Sequence, residues 1–364
     1  MNLSNTQSVF LQLLKGSVTG IGHYPHFRQL SDAEWHDVHL LAERQGMAAI
    51  LMGELEKLPK ECLPPMDMLM NWLGQASHRE ITYQMQMEQS CEFANALATE
   101  GVKCLVLKGL ALGTYYPIDK SREFGDLDCF LLHDKAFAFE KGNEIGKRLG
   151  ARVEQSGYMH THIHYKNLLI ENHEFLTHFN ETQDGIRLER ILRTLAIEDG
   201  CKRIGNSNLW IPRPEFNVLF LLKHSVGDFI ANDMTIKAIY DWAVFLKAEQ
   251  RSIDWKRMEL LLDECKMRSF FDLMTEAAMS YLGLTLYTGE ICITSNSYMT
   301  DCMMEDVLNV PVMHAKKTLA VKAKRLQDRV RRMTKYHTLL NDGVMTTIWN
   351  TFKYRHTDKL QLGE

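Results

Sequence analysis

Hydrophobic residues are concentrated in two short runs near the middle of the chain, 102–107 and 127–132. Apolar runs of this length are typical of buried β-strands. Residues 151–180 alternate apolar and polar positions, and residues 209–211 form a further short apolar run. Both stretches predict additional strands, so the strands are expected in the middle part of the chain.

On either side of this region the apolar positions recur at helical spacing. Ser31 begins a capping-box pattern that predicts a helix running to about Lys57. Prolines then interrupt the pattern, and a second helix is predicted over 66–100. The other predicted helices cover 110–115, 134–149, 186–197, 215–230, 233–249, 254–265, 267–282 and the basic stretch 316–335.

Length, composition, net charge and cysteine content restrict the possible classes of protein. The 364 residues, 45% hydrophobic and 24% charged, suffice for two or three domains with a sizeable core. A net charge of −4 argues against a protein that coats nucleic acid through its overall field. We expect neither a signal peptide nor a membrane span. Eight scattered cysteines without C-x-x-C spacing predict free thiols and a cytoplasmic location.

The candidate chemistry begins with two carboxylates at the start of the second strand. Asp126 and Asp128 are two residues apart, so they share one face of a strand. The glycine turn at Lys108-Gly109 follows the first strand and can present backbone amides nearby. Such a combination suits a divalent cation bound to a phosphate-bearing substrate, although most D-x-D pairs are solvated acids at strand ends.

The order of motifs around these residues resembles a known family. It is similar to the uncharacterised nucleotidyltransferase-like branch of the DNA polymerase β-type nucleotidyltransferase superfamily, over roughly residues 100–250. The motifs that carry the resemblance are Leu107-Lys108-Gly109, Tyr116-Pro117, Arg122, Gly125-Asp126-Leu127-Asp128, Ile170-Glu171-Asn172-His173, Pro214 to His224 and Tyr240-Asp241-Trp242.

The resemblance implies an α+β fold in which a small mixed sheet, the nucleotidyltransferase palm, is flanked by helical regions. We expect an N-terminal helical region at 1–100, the palm at 101–212 and a C-terminal helical domain at 213–364. The implied reaction is Mg²⁺- or Mn²⁺-dependent transfer of a nucleoside monophosphate from ATP or another nucleoside triphosphate. The acceptor is a hydroxyl or amine, and the net charge favours a small molecule or a protein over nucleic acid.

The resemblance also implies roles for individual acids. Asp126 and Asp128 are expected to bind the metal and to act in catalysis, because two metal ions can clamp the attacking and leaving oxygens of a phosphoryl transfer. A third carboxylate should come from a neighbouring strand, and Glu171 is the candidate. The alternative for Glu171 is an edge-strand carboxylate paired with a nearby basic residue such as Lys166.

Four further residues are candidates for nucleotide binding: Lys108, Gly109, Arg122 and His173. Lys108 could contact the β- or γ-phosphate or simply cap the turn. Arg122 could hold triphosphate oxygens with its planar fork, or could pair with Asp126 and brace the loop. His173 could orient Glu171 or the acceptor, or be a core histidine. Leu110 stands where the superfamily usually has a serine, so no hydroxyl is available there.

The histidines permit a second interpretation. His160, His162 and His164 alternate and would share one strand face, which resembles a set of metal ligands. No acidic partner lies at a recognisable zinc spacing, so a solvated or aromatic-packed strand face is the expectation. His224, within an apolar helix, is expected to be a buried structural residue.

Two other functions stay open at this point. The missing serine is compatible with a catalytically lapsed nucleotide-binding protein, or with a scaffold that acts through its helical regions. The stretch 316–335, with nine Lys or Arg residues against one acid, could contact an anionic partner such as nucleic acid or a membrane surface. It could equally be a solvated helix face over an apolar seam.

Overall fold

The architecture comes from a computed structural model that describes residues 2–22, 30–118, 121–177, 183–287, 289–310 and 319–337. Within those ranges the chain forms thirteen α-helices and eight strands. The helices are α1 (Asn5–Thr19), α2 (Asp32–Arg44), α3 (Ala48–Leu55), α4 (Met66–Ala98), α5 (Leu110–Gly113), α6 (Phe139–Arg148), α7 (Gln183–Ile197), α8 (Pro214–Ala231), α9 (Ile236–Glu249), α10 (Trp255–Glu264), α11 (Arg268–Leu282), α12 (Ser297–Leu308) and α13 (Leu319–Lys335). The strands are β1 (Val102–Val106), β2 (Asp126–His133), β3 (Ala136–Phe137), β4 (Arg152–Ser156), β5 (His160–Tyr165), β6 (Leu168–His173), β7 (Lys202–Arg203) and β8 (Leu209–Ile211).

The strands form a single mixed sheet in the order β4-β5-β6-β2-β1-β8-β7, with β3 paired to β2. The pairs β2–β6 and β1–β8 are parallel, and the other pairs are antiparallel. Helices precede and follow the sheet along the chain. The predicted α+β class, a small mixed sheet flanked by helical regions, is confirmed.

Two element boundaries differ from the prediction. The helix expected from Ser31 to Lys57 is broken into α2 and α3, because Gly46 has a φ of 67° that ends the first helix. The helix expected from residue 134 begins only at Phe139. Asp134 and Lys135 instead have φ values of 48° and 64°, which form a tight hairpin turn between β2 and β3.

The two faces of the sheet are buried differently. One face carries Leu127, Cys129 and Ile170, which pack in one core with residues of α4 and α6. The opposite face contributes Leu105 and Phe130 to a larger core made mostly by helices. Since side chains alternate along a strand, Asp126 and Asp128 lie on the same face as Phe130. The candidate acids therefore face the helical body.

Helix α6 lies unusually close to the sheet at two glycines one helical turn apart. A Cβ atom at Gly142 would lie 2.3 Å from Leu131 Cδ1, and one at Gly146 would lie 2.8 Å from Ile163 Cγ2. Larger residues would push the helix away, because contacts under 3.0 Å are not tolerated. The two glycines therefore allow α6 to pack directly against the sheet, on the face opposite the candidate acids.

The helices before and after the sheet share one core. Phe10 and Leu14 of α1 are buried in the same cluster as Phe245 of α9 and Met274 of α11. The boundaries expected at 100/101 and 212/213 stay a prediction, and the last expected region includes residues 338–364, outside the described residues.

In the part of the chain that the structure describes, no helix combines the length and apolarity needed to cross a bilayer.

Candidate active site

The three predicted acids lie on two adjacent strands. Strand β2 pairs in parallel with β6, and the register places Asp128 opposite Glu171 and Asp126 opposite Leu169. Residues opposite each other in a sheet project to the same side, so Glu171 and Asp128 reach the same face. Lys166, the alternative partner of Glu171, forms its ion pair with Glu92 instead. Glu171 is therefore directed to the face that carries the two aspartates.

Burial and mutual repulsion raise the pKa values of Asp126 and Glu171, whereas Lys108 and His173 lower the pKa of Asp128. Burial and then the negative charge of Asp128 raise the pKa of Asp126. Burial and then the charges of Asp128 and Asp126 raise the pKa of Glu171. Burial also opposes ionisation of Asp128, but Lys108 and His173 outweigh it and hold its pKa well below the usual range. A group of mutually repelling carboxylates is a donor set that a hard divalent cation stabilises.

Lys108 lies inside the site. Its Nζ is 3.2 Å from Asp128 Oδ2 and 2.8 Å from His224 Nε2. His224 in turn places Nδ1 3.0 Å from Asp228 Oδ2, one turn further along α8. The expectation of a buried structural histidine is wrong. His224 is half-buried and, together with Lys108, lines a cleft between the sheet and helices α8 and α9. The spacing His224-x-x-x-Asp228 on one helix face was the available sequence signal.

Gly109 forms the turn that leads from β1 into α5. Its backbone has a φ of 48° and a ψ of −112°, a conformation that residues with a side chain strongly disfavour. A Cβ atom there would lie 3.4 Å from the Cβ of Phe124 and 3.5 Å from the carbonyl oxygen of Asp126. A Cβ atom would fit at these distances, so a glycine is needed at this position because of its backbone angles.

Arg122 stabilises this turn through hydrogen bonds. Its guanidinium binds Asp241 of α9 through two hydrogen bonds of 2.8 Å each, and Nη1 donates to the carbonyl oxygen of Gly109 at 3.1 Å. The partner of Arg122 is thus Asp241 rather than Asp126. Asp241 also accepts a hydrogen bond of 2.6 Å from the Tyr116 hydroxyl. Contact between Arg122 and a triphosphate stays a prediction.

Asp126, Asp128 and Lys108 border a cleft of about 220 Å³ between the sheet and helices α8 and α9. Lys237 of α9 also lines it and donates from Nζ to the carbonyl oxygen of Glu123 at 2.6 Å. Burial, followed by the charge of Arg122, lowers the pKa of Lys237 to about 8. No sequence motif indicates Lys237, because its position depends on how α9 packs against the loop that precedes β2.

The histidines of β5 and β6 surround Glu171. His160 Nε2 and His162 Nε2 lie 3.6 Å and 3.3 Å from Glu171 Oε1, and His173 Nε2 lies 3.8 Å from Glu171 Oε2. The sequence contains no acidic partner at a recognisable zinc spacing, but the structure places Glu171 on the neighbouring strand, directly opposite His162. His164 alone turns away, towards Glu154 at 3.5 Å.

His173 lies between Asp128 and Glu171. Its Nε2 is 3.1 Å from Asp128 Oδ1, and its Nδ1 is 3.1 Å from the carbonyl oxygen of Phe175. Potential ligand atoms of His160, Glu171 and His173 all lie within 4.8 Å of one another.

Comparison with known proteins gives one match. A family model described as "Uncharacterised nucleotidyltransferase" matches residues 31–283, which include the sheet, the cleft and helices α2 to α11. No curated protein and no solved structure matches the chain.

Proposed function

Because the chain belongs to the family of uncharacterised nucleotidyltransferases, as its motifs indicated, we propose that it transfers a nucleoside monophosphate from a nucleoside triphosphate to an acceptor. ATP is the simplest donor, and a hydroxyl or amine of a small molecule or a protein is the proposed acceptor. The observation that carries the proposal is the register of β2 and β6, which brings Asp126, Asp128 and Glu171 to one face.

The acids fit the divalent cation that the family implies. Oxygen donors are the ligands that Mg²⁺ prefers, and Asp126 and Asp128 would hold it, with Glu171 as the third carboxylate. Burial, followed by the charges of the neighbouring carboxylates, raises the pKa of Asp126 and of Glu171, and a bound cation would relieve both effects. Bound there, Mg²⁺ supplies positive charge against the oxygens of the triphosphate.

The basic residues of the cleft would position the triphosphate. Lys108 and Lys237 approach from the sheet side and from α9, and both line the cleft that Asp126 and Asp128 border. Phosphoryl transfer requires little from the protein except positioning and charge neutralisation. Arg122 contributes by fixing the Gly109 turn through its carbonyl oxygen, so that the backbone amides of the turn keep their directions.

The proposed donor site is tested by calorimetric titration of ATP and of a non-hydrolysable analogue. Binding should require Mg²⁺ and should be lost in EDTA and in Asp128→Asn, because the metal and its carboxylate ligands hold the triphosphate. Equal binding with Mg²⁺ and with EDTA, or no binding at all, would contradict the proposal. The second outcome would favour a lapsed enzyme or a scaffold that acts through its helical regions.

Lys237 gives this site a distinctive dependence on pH. Its ammonium has a pKa of about 8 in the free protein, and a bound triphosphate would stabilise the charged form. Binding of MgATP at pH 8.5 should therefore take up about half a proton or more from the buffer. Calorimetry in buffers with different ionisation enthalpies measures that number directly.

Two substitutions test the assignment of this proton to Lys237. In Lys237→Arg the side chain stays charged at every accessible pH, so the proton uptake should disappear. Lys202→Arg is the matched control, because Lys202 is half-exposed and pairs with Glu249, away from the cleft. An uptake that persists in Lys237→Arg would assign the proton to another group.

A further inference from the structure

Three ligand atoms converge between β5 and β6 at the distances that a metal ion imposes. The distances are 3.2 Å between His160 Nε2 and His162 Nε2, 3.3 Å between His162 Nε2 and Glu171 Oε1, and 3.6 Å between His160 Nε2 and Glu171 Oε1. We propose that His160, His162 and Glu171 form a site for a divalent transition metal of the zinc type. This site would share Glu171 with the proposed Mg²⁺ site at Asp126 and Asp128 but differs from it in its two nitrogen ligands.

The size of the triangle supports a single shared ion. A tetrahedral zinc ion with bonds of about 2.0–2.2 Å separates its ligands by about 3.3–3.6 Å. Direct N–H···O hydrogen bonds are centred near 2.9 Å, so the two distances to Glu171 Oε1 are long for hydrogen bonds. The 3.2 Å between the two imidazole nitrogens is the length of an N–H···N hydrogen bond in the metal-free protein, and a shared ion would replace that bond. Two imidazole nitrogens that face one carboxylate oxygen at these distances form one face of a metal tetrahedron.

The donor set selects the class of metal. Imidazole nitrogens suit zinc, cobalt, nickel and copper, whereas Mg²⁺ prefers oxygen ligands. Two histidines and one carboxylate, with a fourth position open, are the ligand set of many catalytic zinc sites. All three side chains are partly accessible, at 18%, 27% and 19% exposed, so an ion and one small ligand can reach them.

His173 would connect this metal to the proposed active site. It lies 3.8 Å from Glu171 Oε2 on one side and 3.1 Å from Asp128 Oδ1 on the other. Its ring is oriented by the contact between Nδ1 and the carbonyl oxygen of Phe175, a type of contact that fixes histidines near metals. The open metal position would then lie beside the carboxylates, where the hydroxyl or amine of an acceptor could coordinate.

The test uses the full-length protein after treatment with EDTA and removal of the chelator. Co²⁺ is added and the visible absorbance recorded, and Zn²⁺ is titrated by calorimetry. We expect one Co²⁺ per chain, with the strong bands of a tetrahedral or five-coordinate ion, and displacement of Co²⁺ by Zn²⁺. Absence of stoichiometric binding of either metal would overturn the proposal.

Variants locate the site. His162→Gln should weaken Zn²⁺ binding at least about 10-fold and His160→Ala/His162→Ala about 100-fold or more, because a lost ligand costs at least as much as a lost second-shell partner. His164→Ala is the matched control, since His164 lies on the same strand face but contacts Glu154. It should bind Zn²⁺ as the wild type does. Equal affinity in all the variants would also overturn the proposal.

The metal site and the proposed transfer can fail separately. The site shares Glu171 with the proposed function but does not depend on nucleotide binding. Asp126→Asn should keep the Co²⁺ spectrum and lose binding of MgATP. Zn²⁺ binding without any nucleotide binding would contradict the nucleotidyl transfer and support the metal site. Nucleotide binding without Zn²⁺ binding would contradict the metal site and support the nucleotidyl transfer.

Discussion

Replacement of Asp126 by asparagine is expected to abolish nucleotidyl transfer while leaving the fold intact. The change removes one carboxylate ligand of the proposed Mg²⁺ site and should lower the rate about 1000-fold or more, at the upper end of what one pre-organised electrostatic contact contributes. The fold should be retained, because burial and then the charge of Asp128 raise the pKa of Asp126, and the substitution removes this unfavourable charge. Pyrophosphate release from ATP, with a mixture of hydroxyl- and amine-bearing acceptors, measures the rate.

Asp134→Asn is the matched control for this substitution. Asp134 lies in the turn after the same strand, its side chain is 91% exposed, and its positive φ suits asparagine. This variant should react at the wild-type rate. Full activity in Asp126→Asn, with circular dichroism unchanged, would show that the transfer does not use this carboxylate.

The second large effect concerns stability. Arg122→Met should lower the free energy of unfolding by about 3–5 kcal/mol, because it leaves Asp241 as an uncompensated buried charge. The two side chains are only 7% and 11% exposed, and their contact is bidentate. Urea denaturation measures the loss. Arg187→Met, which removes an exposed ion pair with Asp184, should cost at most about 1 kcal/mol.

A second substitution separates the unpaired charge from lost packing. Asp241→Asn added to Arg122→Met removes the charge and keeps an acceptor for the Tyr116 hydroxyl. The double variant should therefore be more stable than Arg122→Met alone. If it is less stable, the buried charge is not what destabilises the single variant.

The same ion pair predicts how stability changes with pH. Burial opposes ionisation of Asp241, but Arg122 outweighs it and lowers the pKa of Asp241 below the usual value. A lowered carboxyl pKa stabilises the fold above the unfolded value of about 3.9, and this contribution is lost as the pH falls below it. The difference in melting temperature between wild type and Arg122→Met should therefore narrow below about pH 4.

Much of the fold could be predicted because it follows from hydrophobic patterning. The apolar runs at 102–107 and 127–132 became the central strands β1 and β2, and the helical pattern at 215–230 became α8. The errors came from backbone angles that composition does not reveal. Asp134 and Lys135 adopt positive φ, which neither residue type requires, so a hairpin replaced the expected first turn of a helix.

The site was predictable only where it is encoded by neighbouring residues. The Gly-Asp-Leu-Asp motif contains both aspartates, and the resemblance to a family pointed to Glu171. The partner of Arg122 is 119 residues away on another element. The resemblance included Asp241 in a motif, but nothing local indicates that it pairs with Arg122, and nothing local identifies Lys237. The sequence indicated that His160, His162 and His164 share one strand face, but not that Glu171 lies among them, since the register of β5 against β6, and not sequence spacing, places Glu171 opposite His162.

Helix α9 connects the loop before β2 to the beginning of the chain. Asp241 holds Arg122, and Lys237 holds the carbonyl oxygen of Glu123. From the same helix, Tyr240 hydrogen bonds to Ser17 of α1, and the first amide of the helix donates to Gln45. We therefore expect the strands that carry the acids to depend on a helix that lies outside residues 101–212. A fragment cut at 101–212 would keep all three carboxylates but lose the helix that anchors the loop beside them.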